Sequence, residues 1–321
     1  MGKIVITGAA GFIGSCLAHH VFRNVSKDLL LVDDFSKTEK SNNLKGLEAT
    51  TLIDRNDFLN LLPNLDIDFI FHLGARTDTT EFDVSIFDEL NLNYSKTIWQ
   101  HCSAHNIPLI YASSAATYGE GELGFDDNQE EMSKLKPLNP YGQSKLDFDI
   151  WALQQEQKPP FWIGLKFFNV FGPNEYHKTR MASVVFHAYN QIKATGKMKL
   201  FQSHRPDYPN GGQTRDFIYV KDLINVMMFW YNHKADSGIY NLGTGEPRTF
   251  NDLANATFKA MGLSPNIEFI PTPEDIRDKY QYYTKAEMAR TLHASYDQGF
   301  MCLEDAVTDY VANYLQQDAY F

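Results

Sequence analysis

A short apolar strand at the start of this chain runs straight into a glycine-spaced loop, Lys3-Ile4-Val5-Ile6-Thr7-Gly8-Ala9-Ala10-Gly11-Phe12-Ile13-Gly14. An amphipathic helix is expected from about Phe12 to Phe22. Gly8 permits a tight turn, Gly11 lets the backbone approach a pyrophosphate, and Gly14 lets the helix pack on the strand. The helix N-terminus then presents free N–H groups and the positive end of its dipole to phosphate. Three such glycines alone could be an ordinary loop. The strand before them, the helix after and an acid about 20 positions on make a dinucleotide site the stronger reading. That acid is Asp33, which ends the apolar run Leu29-Leu30-Leu31-Val32 and is followed by Asp34.

The strand–helix alternation continues. Strands are expected near Thr50–Ile53, Phe69–Leu73, Pro108–Ala112 and Trp162–Phe167, with helices from Asp57, from about Val84 to Ala104, and from Tyr141. This pattern predicts an α/β chain with a Rossmann-like, doubly wound parallel sheet that binds ligands at its strands' carboxyl ends. From about Asn169 the pattern turns irregular and rich in Gly, Pro, His and aromatics, which indicates a smaller mixed α/β substrate-binding lobe. The expected division is 1–168 for the dinucleotide domain, 215–240 as its return segment, and 169–214 with 241–321 for the lobe. Thr214 to Asp222 is expected to rejoin the main sheet. The acidic run Asp126 to Glu131 reads as a solvated loop. His204 to Gln213 reads either as a surface excursion or as a lid.

At 321 residues and 43% apolar content the chain can bury a large core. A net charge of −11 without a basic cluster argues against nucleic acid. Cys16, Cys102 and Cys302 match no metal or redox spacing and read as reduced cysteines, so no metal site is expected. The glycine loop lies where a signal peptide would be, Ile6 occupies the position where myristoylation needs Ser or Thr, and the longest apolar stretch, around Val226–Tyr231, is too short to cross a bilayer. A soluble cytoplasmic protein is the expectation.

Tyr141 and Lys145 lie at i and i+4, on one helix face, in Pro140-Tyr141-Gly142-Gln143-Ser144-Lys145. A phenol with a pKa near ~10 needs a shift of ~3 units, about 4 kcal/mol, to ionise at neutral pH. A lysine cation at ~4 Å supplies roughly that at an effective dielectric of ~20. Ser114, in Ser113-Ser114-Ala115-Ala116-Thr117-Tyr118-Gly119, follows a strand and could hydrogen-bond a reacting hydroxyl or carbonyl beside Tyr141. A capping serine is the commoner role for such a residue.

Together with the glycine loop, these residues resemble the extended short-chain dehydrogenase/reductase superfamily. Asn169-Val170-Phe171-Gly172-Pro173, Arg215 to Asp222 and Asn241 to Gly245 extend the resemblance over most of the chain. Within that superfamily the chain resembles the ADP-heptose 6-epimerases. This closer likeness is carried by Gly74 to Glu81, Tyr111 to Gly119, His177-Lys178-Thr179-Arg180-Met181-Ala182-Ser183, Val184 to His187, Lys199 to Phe201 and Lys279 to Thr284. Ala115-Ala116 replaces the acid pair of sugar-nucleotide dehydratases, which disfavours dehydration.

The resemblance implies a tightly held NADP, an ADP-heptose substrate inverted at its sixth carbon for lipopolysaccharide inner-core synthesis, and a homo-oligomer, a pentamer in that family. It implies Tyr141 as one acid/base, Lys178 as the second, Lys145 as ribose anchor and Ser114 as hydroxyl positioner. Inverting a centre by removing and returning hydride calls for proton transfer in two orientations of one carbonyl. Cofactor contacts are implied for Gly8, Gly11, Phe12, Ile13, Gly14, Asp33, Asp34, Lys40, Arg55, Leu73, Gly74, Ala75, Arg76, Thr77, Asn91, Lys145, Val170 and Lys178. Substrate contacts are implied for Ser114, Asn169, Arg180, His187, Phe201, Gln202, Ser203, His204, Arg215 and Tyr280, with Arg215 suited to bidentate phosphate binding.

Several positions leave other readings open. Lys178 could be a snorkelling surface lysine and His187 a core histidine. Thr179-Arg180 replaces the Gly-Ser common in the family, and the Ser203–Gln213 connection is longer than usual. Asp33-Asp34 alone suggests NAD, whereas Lys37, Lys40 and Arg55 could neutralise a 2′-phosphate, so NADP is chosen with NAD as the alternative. The competing functions are a UDP-hexose 4-epimerase on the same scaffold and a catalytically inactive nucleotide-binding protein.

Overall fold

The computed structural model describes residues 2–234, 236–277 and 280–321. Met1, Ala235 in the expected return segment, and Lys279 of the last resemblance block lie outside the described residues. Seven runs form one sheet: β1 (Lys3–Thr7), β2 (Leu29–Asp33), β3 (Thr51–Asp54), β4 (Ile67–His72), β5 (Leu109–Ser114), β6 (Trp162–Phe167) and β7 (Gly238–Leu242). Every ladder is parallel, in the order β7-β6-β5-β4-β1-β2-β3.

Alternate strand residues enter cores on opposite faces of the sheet, which is why these runs are apolar without polar alternation. On one face Ile4, Ile6, Leu29, Leu31, Phe69 and Phe71 pack with Cys16, Leu17 and Val21 of the helix Phe12–Asn24 and with the helix Val220–Asn232. On the other, Val5, Leu30, Val32 and Ile70 meet Ile98, Trp99 and Cys102 of the helix Tyr94–His105, and Leu146 and Phe148 of the helix Pro140–Gln154. Each large side chain buried this way contributes about 1.5–3 kcal/mol. This is the Rossmann-like, doubly wound arrangement.

β1 lies between β2 and β4, so the strand order reverses there and the loops leaving β1 and β4 diverge around a crevice. The helix expected from Val84 to Ala104 is interrupted. Val84–Phe87 passes through a π-turn at Asp88–Asn93 before Tyr94–His105, and within that turn Asn91 is buried. Such turns often mark functional positions.

Two expectations are corrected. The segment Thr214 to Asp222 does not rejoin the main sheet. Thr214–Arg215 pairs antiparallel with Arg248–Thr249, and Phe217–Tyr219 pairs parallel with Asn169–Phe171. Buried Asp216 holds it outside by accepting backbone N–H groups from Thr244 (2.7 Å), Gly245 (2.9 Å) and Ala286 (2.9 Å). The sheet is completed instead by β7, so Asn241 and Leu242 belong to it. The acidic run, expected to be solvated, covers this edge strand. Asp127 is buried and accepts from Asn241 N at 2.7 Å, and Gln129 accepts from Ile239 N at 3.1 Å. Edge N–H groups left open would template unwanted pairing.

Candidate active site

The β1 loop is built for close backbone approach. Gly8 has φ +69°, and a Cβ there would lie 2.8 Å from Gly74; a Cβ at Gly14 would lie 2.1 Å from the Gly8 carbonyl oxygen. Gly11 caps the helix Phe12–Asn24 and has no side chain to occupy the first N–H groups, so the amides at Phe12 and Ile13 stay available to an anion. The β4 exit, Leu73 to Thr77, forms the facing wall. Asn91 clamps it, accepting from Arg76 N at 2.7 Å and donating to Arg76 O at 3.0 Å and to Ser144 Oγ at 3.0 Å. These residues fit a dinucleotide pyrophosphate.

Asp33 is buried at the end of β2 and its carboxylate is already engaged. It accepts from Ala10 N (2.9 Å) and Asp34 N (2.7 Å) and pairs with Lys40 at 3.0 Å. Asp34 pairs with Arg55 at 3.5 Å, and the Ser36 hydroxyl helps hold its pKa below the usual range. Lys37 is exposed nearby. Each acid that could repel a ribose phosphate therefore has its own cation.

Ser114 ends β5 and caps the following turn, accepting from Ala116 N at 3.1 Å. The capping role is present, and the same hydroxyl lies close enough to the Tyr141 phenol to lower its pKa. Tyr141 and Lys145 project from the helix Pro140–Gln154, whose N-cap Asn139 accepts from Gly142 N at 2.8 Å. The expected ionisation of Tyr141 by Lys145 is corrected. Burial raises the Tyr141 pKa, the Ser114 hydrogen bond lowers it and Asp149 raises it further. The Lys145 ammonium instead donates to Ala112 O at 2.8 Å, and burial lowers its own pKa to about 8.

Lys178 is half-buried. Its ammonium lies 5.6 Å from the Phe12 ring centroid, at the start of the glycine-loop helix, and burial lowers its pKa while Glu175 raises it. Neighbouring Thr179 has φ +46° and ψ −121°, a conformation natural to the glycine it replaces and costly for a β-branched residue. Arg180 is exposed and pairs with Asp78 at 3.3 Å and with the Thr80 hydroxyl, which turns it towards the loop after β4. His187 is a half-buried residue whose Nε2 lies 3.3 Å from Arg180 O, so it is no core histidine.

In the lobe, buried Arg215 lies between the rings of Phe250 (5.6 Å) and Tyr280 (5.8 Å) and donates to Thr214 O at 2.9 Å and to Gln281 O. Tyr280 meets Phe201 edge-on at 6.0 Å and His204 at 6.3 Å. Gln281 donates to Gly119 O at 2.7 Å, tying this cluster to the turn that follows Ser114. Asn169 and Val170 lie on the short strand Asn169–Phe171, which pairs with Phe217–Tyr219 just after Arg215. The Ser203–Gln213 connection is stapled: Ser203 N donates to Asn210 Oδ1 (2.9 Å), Asn251 donates to Asn210 O (2.9 Å), and His204 N donates to Tyr282 Oη (2.9 Å). It forms a wall. Gln202 lies on the outer side, bonded to Ile270 O through its N–H at 2.8 Å.

Some residues of the site carried no sequence signal. Thr7, between Gly74 N (3.0 Å) and His72 Nδ1 (2.7 Å), starts a chain that continues from His72 Nε2 to Ser95 Oγ (2.8 Å) and locks β1 to β4 at the crevice. Asp149 and Lys166, fully buried and 2.7 Å apart, bind Tyr111, Ser113 and Thr117 around Ser114. Among the described residues, Gln213 Nε2 and Thr214 Oγ1 are buried beside Arg215 without hydrogen-bond partners. Only Asp149, a turn beyond Lys145 on the same face, was within reach of spacing arguments.

Residues 4–243 match the NAD dependent epimerase/dehydratase family. The ADP-L-glycero-D-manno-heptose-6-epimerase of Fusobacterium nucleatum is 44% identical over 99% of both chains, and that of Nitratidesulfovibrio vulgaris 44% identical over 97% of both. The crystal structure of the Helicobacter pylori ADP-L-glycero-D-manno-heptose-6-epimerase superposes with a TM-score of 0.83 at 28% identity, covering 97% of this chain and 96% of that one. The Thermus thermophilus UDP-glucose 4-epimerase in complex with NAD shares the fold, with a TM-score of 0.78 at 20% identity over 98% of this chain and 99% of that one. The chain belongs to the NAD dependent epimerase/dehydratase family and, within it, groups with the ADP-L-glycero-D-manno-heptose-6-epimerases.

Proposed function

We propose that this isomerase interconverts ADP-D-glycero-D-manno-heptose and ADP-L-glycero-D-manno-heptose, inverting the sixth carbon for lipopolysaccharide inner-core synthesis. The observation that carries the reading is the placement of two proton-handling groups around one dinucleotide cradle. Tyr141 with Ser114 approaches from the β5 end, and Lys178 approaches from the β1 side against Phe12. A UDP-hexose 4-epimerase needs only the first.

NADP is the cofactor in this reading. With the Asp33 oxygens engaged by two amides and Lys40, little acceptor capacity is left for a ribose diol, while Lys40 and Arg55 suit a 2′-phosphate. Bound NADP supplies hydride acceptance and return. The chain does the rest. Ser114 orients the reacting oxygen, Tyr141 exchanges the proton in one orientation of the sugar, and Lys178, whose lowered pKa suits a base, does so in the other. Lys145 anchors the ribose. Phe201, His204, Tyr280 and Arg215 receive the nucleotide, Arg215 on its phosphates, with Asn169, Arg180, His187, Gln202 and Ser203 at the sugar and the wall. Residues 1–168 with the helix Val220–Asn232 and the strand Gly238–Leu242 carry the cofactor, and 169–219 with 243–321 carry the substrate. A cytoplasmic homo-oligomer accompanies this reading; among the described residues no helix is long and apolar enough to cross a membrane.

The test is to denature the purified protein, identify the released dinucleotide, and run the reaction in heavy water without added cofactor. NADP release and epimerisation of ADP-heptose, with no deuterium at the sixth carbon, are expected. A preference for UDP-hexoses, or deuterium at the inverted carbon, would overturn the reading.

A further inference from the structure

We propose that Asn174 and the segment Ala319–Phe321 are positioning residues for Lys178, strapping the turn that carries it onto the elements that form the cofactor cradle. The inference rests on Lys178 acting as the second acid/base. Thr179, next to Lys178, holds a backbone conformation that persists only where its surroundings over-determine it. The surroundings do so from three sides.

Asn174 is buried and has φ +72°. It donates to Ser15 Oγ on the cofactor helix at 2.9 Å, accepts from Phe321 N at 2.9 Å through Oδ1, and accepts from Asn43 through its carbonyl at 3.0 Å. The same Asn43 amide donates to Ala10 O of the glycine loop at 2.9 Å and lies 3.4 Å from His177 Nδ1. Tyr176, two residues before Lys178, donates to Ala319 O at 2.8 Å and meets the Tyr320 ring edge-on at 5.1 Å. Tyr320 Oη accepts from Asn42 at 3.2 Å, and Phe321 O accepts from Arg23 at 3.3 Å. The far end of the chain thus grips the Lys178 turn, the cofactor helix and the segment that carries Lys40 together. None of these bonds reaches the nucleotide cluster around Arg215. The strap sets where Lys178 sits relative to the cradle and leaves sugar-nucleotide binding alone.

The full-length protein tests this with Asn174→Ala, the double variant Tyr320→Ala/Phe321→Ala, Tyr320→Phe and Lys178→Met. Each is assayed for kcat and KM, and the parent and the three variants that keep Lys178 also for the rate at which acetic anhydride labels Lys178, followed by mass spectrometry. Misplacing a reacting group by about 1 Å costs on the order of 100-fold. Asn174→Ala and the double variant should therefore lose roughly 10- to 100-fold in kcat with little change in KM. Lys178 should label several times faster relative to the other lysines. Tyr320→Phe keeps the ring against Tyr176 but loses the bond from Asn42, and should lose less kcat than the double variant. Unchanged kcat in the double variant overturns the proposal, as does lost kcat with unchanged Lys178 labelling, which would mark plain destabilisation. If Lys178→Met epimerises normally, the second-base reading fails, and the labelling rates alone then decide whether the strap exists. Should Asn174→Ala not fold, the partly exposed pair Tyr320 and Phe321 carries the test.

Discussion

Tyr141 shows how far a catalytic side chain's state depends on what lies behind it. Spacing put a phenol and an ammonium on one face; in the structure the ammonium donates to Ala112 O, and burial raises the pKa of the phenol. Lys178 differs, since burial lowers its pKa and favours the neutral amine. Tyr141→Phe and Lys178→Met should each cut epimerisation by roughly 10²–10⁴-fold, the scale of one acid/base, while circular dichroism and bound dinucleotide stay unchanged. Near-normal turnover in Lys178→Met would remove it from the chemistry. Cofactor choice also sits at this scale. Replacing Lys40 and Arg55 with Ala leaves Asp33 and Asp34 unpaired, so titration should show a swing from NADP towards NAD by ~1–3 kcal/mol, the scale of a charge-assisted contact. Equal affinity of the native protein for both dinucleotides would contradict the assignment.

At the level of elements, what could be read from the chain was what local chemistry dictates. The glycine loop and the parallel strands announce themselves within a dozen residues, through φ demands and apolar runs. The lobe does not, because its strands are as short as Thr214–Arg215 and are held by distant partners, with Asp216 reaching Thr244, Gly245 and Ala286. The run Asp126–Glu131 misled for the same reason. Nothing in its composition reveals that Asp127 caps β7 from more than a hundred residues away, or that Arg290 lies 3.7 Å from it. Asp127→Ala leaves the Asn241 amide buried without its acceptor. It should lower stability by about 1–3 kcal/mol in urea melts and expose the edge to association, seen as a concentration-dependent rise in light scattering. A variant as stable and as monodisperse as the parent would show that Asp127 is dispensable as an edge cap.

Across the whole molecule, the dependence of stability on pH should carry contributions of opposite sign from buried histidines and buried carboxylates. His72, locked between Thr7 and Ser95 at the strand reversal, has its pKa lowered by burial and by Lys145 to about 3, against an ordinary 6.5. His177, beside Lys40 and Lys178, is lowered to about 4, chiefly by burial. In both cases the unfolded chain binds the proton first, so stability is fully present above about 6.5 and is lost as pH falls towards the folded values. Buried Asp127, Glu175 and Asp222 are raised by burial and act in the opposite direction, favouring the folded state in acid and losing that contribution as pH rises through their folded pKa values. A parent melt alone mixes the two signs, whereas the difference from His72→Gln isolates the histidine. Gln can span the same two hydroxyls without titrating, so the variant should start less stable at pH 8 by about 1–3 kcal/mol. It should then lose less than the parent between pH 6.5 and 4.5, bringing the two curves together. Urea melts at half-unit steps measure this directly. Parallel curves would mean that His72 takes up its proton alike in the folded and the unfolded protein, so that burial between Thr7 and Ser95 does not hold it neutral.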